Sequence, residues 1–256
     1  MKLFIRRFGQ GFPVIILHGL LGLSDNWVSF GRRLAEDFDV IIPDLRNHGQ
    51  SPHSFVFDYP SLVEDLLEMI RELELTDFFL IGHSLGGKIA MHYAFEYPER
   101  LQKLVVVDIS LRRYVANTQQ QELIDAMQAV DFSVVHSRSE IEQQLKHSVK
   151  IAKLRQFLLK NAYWSDKDHL AWRINLNSIH ENLPGIFEGV VSEKKFEKPA
   201  LFIRGGLSDY ISENDLRDIN SNFSDAIVRT IETATHWVHA DAPEEFYHLV
   251  KNFLIS

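Results

Sequence analysis

A serine surrounded by glycines is the first feature of this sequence that points to chemistry. The run Gly82-His83-Ser84-Leu85-Gly86-Gly87 follows the apolar stretch "FFLI" and precedes the helical pattern "KIAMHYAF". A strand that turns abruptly into a helix strains its central residue and crowds the positions two before and two after it, where glycine avoids a clash. The pattern predicts a nucleophile elbow with Ser84 as the nucleophile. It also predicts that the Leu85 N–H, at the start of the helix, stabilises an oxyanion.

A serine hydroxyl needs a base to remove its proton, and the base needs an acid to orient it. His236, in "TATHWVHA" after the last strand pattern, is the predicted base. His239 is interpreted as structural, since no third metal ligand lies near it in the sequence. Two carboxylates compete for the acid, because Asp108 ends the strand after the elbow helix and Asp209 ends the next one. Either can accept a hydrogen bond from the imidazole, so the residues alone leave this choice open.

The elements that position these residues alternate between strands and helices. Short β-branched runs predict strands at Phe12–Leu17, Val40–Pro43, Phe78–Ile81, Leu104–Val107, Ala200–Ile203 and Ala226–Ile231, with a further edge strand in "KLFIRRF". Helical patterns lie at Trp27–Glu36, Tyr59–Leu73, Leu85–Tyr97 and Pro243–Leu254. This order predicts an α/β fold with a mostly parallel central sheet flanked by helices. The candidate residues follow the strands directly, where ligands bind in such sheets.

One long stretch interrupts the alternation. Residues 111–198 contain helix-like segments such as "QQQELIDAMQAV", "IEQQLKHSVKIAKLRQFLLKNAYW" and "NSIHENLPGIF", with no convincing central strand. They are predicted to form an inserted helical cap, with 1–110 and 199–256 forming the α/β core. Four aromatic residues of the cap are candidates to line a substrate pocket: Phe157, Tyr163, Trp164 and Trp172.

The composition excludes several classes of function. The chain of 256 residues has a net charge of −8 and no dense basic cluster interleaved with aromatics, which argues against a nucleic-acid partner. It contains no cysteine, so disulfides, thiolate nucleophiles and thiolate metal sites are excluded. Without a signal-peptide pattern or an apolar run long enough for a bilayer, it is predicted to be cytoplasmic, with no stable membrane insertion.

Five motifs carry a resemblance to a known family. The segments "HGLLGLSDNW", "DLRNHGQSP", "GHSLGGK", "VVDIS" and "THWVHA" together resemble the YbfF-type bacterial esterases of the α/β-hydrolase superfamily, and the likeness covers nearly the whole chain. The resemblance implies an α/β-hydrolase fold with a small helical cap. It implies Asp108 as the acid, because in that group the aspartate follows the strand after the elbow. Asp209 stays the alternative, since this chain carries a carboxylate at both places. The resemblance also implies the Leu20 N–H as the second oxyanion donor.

The resemblance implies hydrolysis of small-molecule carboxylic esters or acyl thioesters, with small to medium acyl groups. The expected mechanism is two-step acyl transfer through an acyl-enzyme, with no metal ion and no organic cofactor. Two alternatives use the same scaffold: other hydrolase chemistry such as C–C bond cleavage, and a ligand receptor without catalysis. The polar run from Asp44 to His48 is interpreted as bracing the loop that carries the Leu20 N–H, which we call the oxyanion loop. His18 is given the same interpretation. Lys150, Lys153 and Arg155 are a candidate basic patch for an anionic substrate such as acyl-CoA.

Overall fold

The computed structural model describes the backbone of residues 1–115 and 118–256, and the side chains of residues 1–115 and 120–256. The predicted cap at 111–198 therefore includes two residues, 116 and 117, that lie outside the described part of the chain.

A seven-stranded sheet forms the centre of the molecule. In chain order its strands are β1 (Ile5–Phe8), β2 (Phe12–Leu17), β3 (Phe38–Pro43), β4 (Phe78–His83), β5 (Leu101–Val107), β8 (Phe196–Gly205) and β9 (Phe223–Ile231). Their spatial order is β1-β3-β2-β4-β5-β8-β9. Of the described strands only β1, at one edge of the sheet, runs antiparallel to its neighbour β3, and every other neighbouring pair is parallel. The predicted α/β class with a mostly parallel sheet is confirmed.

Helices cover both faces of this sheet. They are α1 (Val28–Leu34), α2 (Tyr59–Glu72), α3 (Leu85–Glu96), α4 (Thr118–Gln128), α5 (Arg138–Leu145), α6 (Ala152–Leu159), α7 (Leu176–Ile186), α8 (Asp215–Asn222), α9 (Val238–Asp241) and α10 (Pro243–Ile255). The sequence analysis missed α8, because Leu216 and Ile219 are its only apolar residues and two positions do not define a period.

Side chains that alternate along the strands divide the core into two layers. On β2, Ile15 and Leu17 pack in a cluster with residues of α2, α3 and the segment between β5 and β8. Val14 and Ile16, which alternate with them along the strand, pack in a second cluster with residues of α1 and α10. Since both faces of the sheet are covered, its parallel strands are buried and read as continuous apolar runs. The carboxyl edge of the sheet carries the polar residues.

The segment between β5 and β8 adds no strand to the central sheet among its described residues. It forms α4 to α7 and also a two-stranded hairpin of β6 (Ala162–Trp164) and β7 (Leu170–Trp172), which the expectation of a purely helical cap did not include. Asp166 explains the hairpin, because its side chain accepts hydrogen bonds from the backbone of Asp168 and His169 and closes the turn. Strand β8 begins at Phe196, inside the last residues of the predicted cap. Across the described residues, no helix has both the length and the apolarity needed to cross a membrane.

Candidate active site

Ser84 lies at the sharp junction between β4 and α3. Its backbone has φ = 52° and ψ = −116°, outside the regions that L-residues favour. A Cβ on Gly82 would approach the Gly86 carbonyl oxygen to 2.2 Å, and a Cβ on Gly86 would approach the Leu17 carbonyl oxygen to 2.4 Å. Only glycine fits at these two positions, so the local sequence and the strained serine belong to one structural unit. The elbow is held in the sheet by the Ser84 N–H, which donates to the Val107 carbonyl at 3.0 Å.

His236 and Asp108 meet across the carboxyl edge of the sheet. The His236 Nδ1–H donates to Asp108 Oδ2 at 2.8 Å. Asp108 is fully buried, and its carboxylate also accepts hydrogen bonds from the Gly205 N–H, at 2.9 Å, and from the Ser208 hydroxyl. With three donors satisfied, this carboxylate is fixed in place. A proton held on Nδ1 leaves the His236 Nε2 lone pair free to accept one.

Asp209, the alternative acid, does not contact His236 in the described structure. Its side chain is exposed, and its backbone oxygen accepts a hydrogen bond from Arg112 at 2.8 Å. The turn after β8 brings the hydroxyl of Ser208, one residue earlier, to the position beside Asp108. The structure thus brings His236 together with Asp108 and leaves Asp209 at the surface.

Ser84 and His236 line the same cavity, of about 550 Å³, together with Leu20, and we call it the catalytic cavity. Among the described residues the Ser84 hydroxyl makes no hydrogen bond to His236, which is common before substrate binds. Tyr210 stacks on the imidazole with ring centroids 3.9 Å apart. The His83 Nε2–H donates to the His236 carbonyl at 2.9 Å, and burial lowers the pKa of His83 well below its ordinary value. The loop that carries His236 is therefore held by the neutral ring of His83 and by the ring of Tyr210.

Two backbone N–H groups near Ser84 are available for an oxyanion: that of Leu20, which lines the catalytic cavity, and that of Leu85, the next residue in the chain. Neither the Leu20 nor the Leu85 N–H donates a hydrogen bond within the described part of the chain, and Leu85 begins α3. The positive end of the helix dipole favours negative charge at Leu85. Next to Leu20, Leu21 has φ = 61°, and its carbonyl accepts from the Asn161 side chain at 2.8 Å. The oxyanion loop is thereby tied to the segment that follows α6.

Two buried histidines hold the oxyanion loop, as the sequence analysis expected for this polar cluster. His48 Nε2 accepts the Leu21 N–H at 3.2 Å, and His18 Nε2 accepts the Leu45 N–H at 3.0 Å. Each ring must therefore carry its proton on Nδ1, which donates to the carbonyl of Arg46 in His48 and of Gly19 in His18. Burial lowers the pKa of His18 to about 4 and that of His48 to about 3. Both rings are neutral acceptors at neutral pH.

These two histidines predict a loss of stability in acid. Between pH 6.5 and their lowered pKa values the unfolded chain binds protons that the native state excludes, so the free energy of unfolding falls as pH falls. Each group should contribute a slope of about 1.4 kcal/mol per pH unit in that window. Urea denaturation from pH 7.5 to pH 4 measures the slope. His48→Gln should reduce this slope by the contribution of about one group. A substitution of the exposed His147 should leave the slope unchanged. Equal slopes in the wild type and both variants would contradict the assignment.

Of the four cap aromatics expected to line a pocket, the structure places only Phe157 at the catalytic cavity. Its ring packs on Trp237 with centroids 4.3 Å apart. The expectation is corrected for Tyr163, Trp164 and Trp172, which line no described cavity that contains Ser84. The reason is the hairpin, because β6 and β7 pair with each other outside the central sheet and direct these rings to other contacts. Trp172, for example, donates through Nε1 to the Met127 carbonyl at 2.8 Å.

Several cavity residues were missed by the sequence analysis. Tyr210 directly follows Asp209, and Trp237 directly follows His236. An aromatic residue next to a candidate catalytic residue was therefore the signal in the sequence that could have predicted them. Gln120 and Leu123, on α4, reach the cavity only through the docking of the cap, and nothing in their sequence context marks them.

Comparison with known proteins identifies the family. A family model described as the alpha/beta hydrolase fold matches residues 13–243, which is most of the chain. The protein belongs to the α/β-hydrolase fold family. The predicted resemblance to YbfF-type esterases is confirmed by similarity over nearly the whole length of individual relatives.

Three relatives illustrate this similarity. The chain is 38% identical to the sn-1-specific diacylglycerol lipase ABHD11 of Danio rerio over 252 residues, covering 96% of this chain and 79% of that protein. It is 32% identical to esterase YbfF of Escherichia coli strain K12 over 242 residues, covering 94% and 92% of the two chains. Among solved structures, a marine microorganism esterase matches with a TM-score of 0.96 and 39% identity, covering 98% and 99%.

Proposed function

We propose that this protein is a carboxylic ester hydrolase that uses Ser84, His236 and Asp108 as a catalytic triad. The observation that carries the proposal is the placement of a strained elbow serine and an Asp108-bound histidine on one cavity. A serine at such an elbow beside an aspartate-oriented imidazole is the arrangement that acyl transfer requires. Similarity to proteins named esterase or lipase supports the same activity.

The geometry suggests a role for each group. His236 Nε2 accepts the Ser84 proton while the serine oxygen attacks the substrate carbonyl, and the N–H groups of Leu20 and Leu85 bind the oxyanion. The imidazolium then donates its proton to the departing alcohol oxygen, leaving an acyl group on Ser84. A water molecule then loses a proton to His236 as its oxygen attacks the acyl carbon. The imidazolium returns this proton to the Ser84 oxygen as the acid is released. Throughout, the carboxylate of Asp108 holds Nδ1 protonated and the ring in position.

The site favours oxygen esters of small to medium acyl groups over acyl-CoA thioesters. Apolar side chains such as Leu123, Leu154 and Phe157 line the catalytic cavity and suit the alkyl part of such esters. The candidate basic patch for a polyanionic carrier is engaged within the protein: Lys153 pairs with Asp241, and Arg155 donates to the carbonyls of Val149 and Lys150. Because its charges are already used, we do not expect it to bind the phosphates of coenzyme A.

Hydrolysis of p-nitrophenyl esters from acetate to palmitate tests the proposal. We expect turnover that peaks at one short or medium chain length, since the space around Ser84 limits the acyl group. A fluorophosphonate should label the protein once, at Ser84, and peptide mass spectrometry locates the label. Well-folded protein that neither turns over esters nor accepts the label would contradict the proposal and favour a ligand receptor. Labelling without ester turnover would instead favour another reaction of the same triad, such as C–C bond hydrolysis.

A further inference from the structure

Lys88 is a buried cation close to the candidate nucleophile that the proposed mechanism does not use. It follows Ser84 by four residues, which is about 6 Å along the axis of α3. It is 2% exposed, yet among the described side chains no carboxylate lies within salt-bridge distance of its ammonium group. A buried charge without a counter-charge is costly, so such a residue calls for an explanation.

The partners of Lys88 are backbone carbonyls. Nζ donates to the carbonyl of Arg112, at 2.9 Å, and to that of Glu188. The Glu188 carboxylate itself pairs with Arg113 instead. An ammonium group has three N–H donors, so these two contacts leave one donor without a hydrogen-bond acceptor among the described residues, and Nζ lies over the Tyr114 ring at 5.0 Å from its centroid. Burial lowers the pKa of Lys88 to about 8, which keeps the group mostly protonated at neutral pH.

A second cavity connects Lys88 to Ser84. It has a volume of about 360 Å³ and is lined by both residues, by Leu85 and by apolar groups such as Ile186 and Phe187. We call it the Lys88 cavity. His236 does not line it. A third depression, the outer groove, is lined by His236 and by exposed Leu207, and Ser84 does not line that one.

The chemistry of acyl transfer assigns one half of the substrate to the outer groove and the other half to the Lys88 cavity. The leaving oxygen must receive its proton from His236, so the alcohol half lies on the His236 side, toward the outer groove. The carbonyl carbon bonds to Ser84 with its oxygen near the N–H groups of Leu20 and Leu85, both of which line the Lys88 cavity. Leu20 and Ser84 also line the catalytic cavity, but His236 lines that cavity and not the Lys88 cavity, so we assign the acyl chain to the Lys88 cavity, where it extends toward the buried ammonium.

We propose that the Lys88 cavity is the acyl subsite and that Lys88 selects acyl groups ending in a carboxylate, as in monoesters of short dicarboxylic acids. This inference rests on the proposed esterase function. A terminal carboxylate supplies the counter-charge that the protein does not provide and accepts the remaining N–H of Lys88. The apolar walls of the cavity accommodate the methylene groups between the two carboxyl ends.

Matched pairs of ethyl esters test the inference. Ethyl hydrogen succinate, glutarate and adipate are compared with ethyl butanoate, pentanoate and hexanoate, using chromatographic detection of the acid. An alkyl leaving group is needed because the free carboxylate of an aryl half-ester attacks its own ester. We expect kcat/KM for at least one half-ester to exceed that of its neutral partner by about tenfold, the effect of a buried charge-assisted hydrogen bond.

Substitutions then assign the preference to Lys88. Lys88→Met should abolish the preference, so that each half-ester and its neutral partner are hydrolysed with similar kcat/KM. Lys88→Gln, which keeps N–H donors for the two carbonyls, covers the case in which the methionine variant does not fold. Lys103→Met is the matched control, because Lys103 also binds two backbone carbonyls, of Phe253 and Leu254, and lines neither of the described cavities that contain Ser84. That variant should keep the preference.

The outcomes separate this inference from the proposed function. Neutral esters hydrolysed by wild type with no preference for half-esters would overturn the role of Lys88 and leave the esterase proposal intact. A preference that survives in both Lys88 variants would overturn it as well. Equal losses on both substrate classes in a folded Lys88 variant would show that the residue only anchors the cap.

Discussion

Ser84→Ala is expected to lower kcat for p-nitrophenyl ester hydrolysis by about 10⁵- to 10⁶-fold, the scale seen when a triad nucleophile is removed. The hydroxyl is the only group at the elbow that can form the acyl-enzyme. Alanine keeps the Cβ, so the backbone at φ = 52° and its strain are unchanged and the fold should be retained. Steady-state turnover and loss of fluorophosphonate labelling measure the effect. Retention of more than about one percent of activity would exclude Ser84 as the nucleophile.

Ser84→Gly tests the backbone strain at the elbow through the stability of the protein, which loss of the catalytic hydroxyl alone would not change. The conformation φ = 52°, ψ = −116° is the mirror image of an extended one, which glycine adopts readily and other residues do not. Strain of this kind costs about 1–3 kcal/mol, partly offset by the greater flexibility of glycine in the unfolded chain. We expect Ser84→Gly to be inactive and about 1 kcal/mol more stable than Ser84→Ala in urea denaturation. Equal stabilities would contradict this expectation, because the strain relieved would then be no larger than the cost of glycine in the unfolded chain.

Asp108→Asn is expected to lower kcat by about 10⁴-fold, as in other triads where the orienting carboxylate becomes an amide. Asparagine can keep the contact with the Gly205 N–H through its oxygen, but its NH₂ group then faces His236 Nδ1. Two donors cannot share that contact, so the imidazole must carry its proton on Nε2, where it can no longer accept the Ser84 proton. Ester kinetics measure the loss, and the melting temperature checks that the protein is folded.

Asp209→Asn is the matched control for this prediction. Its side chain is exposed, lines the outer groove and makes no contact with His236 in the described structure, so kcat should keep a far larger share of its wild-type value than in Asp108→Asn. A loss in Asp209→Asn comparable to that in Asp108→Asn would mean that the acid changes during turnover. A loss confined to Asp209→Asn would reverse the assignment.

The core strands and the elbow could be predicted from the sequence because their signals are local. The strand at Phe12–Leu17 has the predicted bounds, and β3, β4, β5, β8 and β9 extend the predicted runs by a few residues. Burial on both faces of a parallel sheet makes each strand a continuous apolar run, which one chain segment displays by itself. The glycines at 82 and 86 likewise meet atoms of the elbow and of the adjacent β2, so their spacing marks the turn.

The cap was predicted less well, because its arrangement depends on contacts between distant segments. The hairpin of β6 and β7 is formed by short segments with aromatic residues on either side of a turn at Asp166. In the sequence this pattern predicts a hairpin less strongly than the neighbouring segment predicts a helix. Which aromatic residue reaches the cavity was not predictable, since Phe157 does so only by packing on Trp237, eighty positions later in the chain.

By itself, the sequence determined the α/β class, the elbow at Ser84 and the candidate base His236, since each depends on neighbouring residues and on the order of elements. Only the tertiary structure shows which of the two carboxylates, at equivalent places in the sequence, contacts His236. A hydrogen bond of 2.8 Å to His236 Nδ1 depends on how two loops, 128 residues apart, meet over the sheet. The same holds for Lys88, whose burial beside Ser84 and whose carbonyl partners at both ends of the cap appear only when the chain is folded.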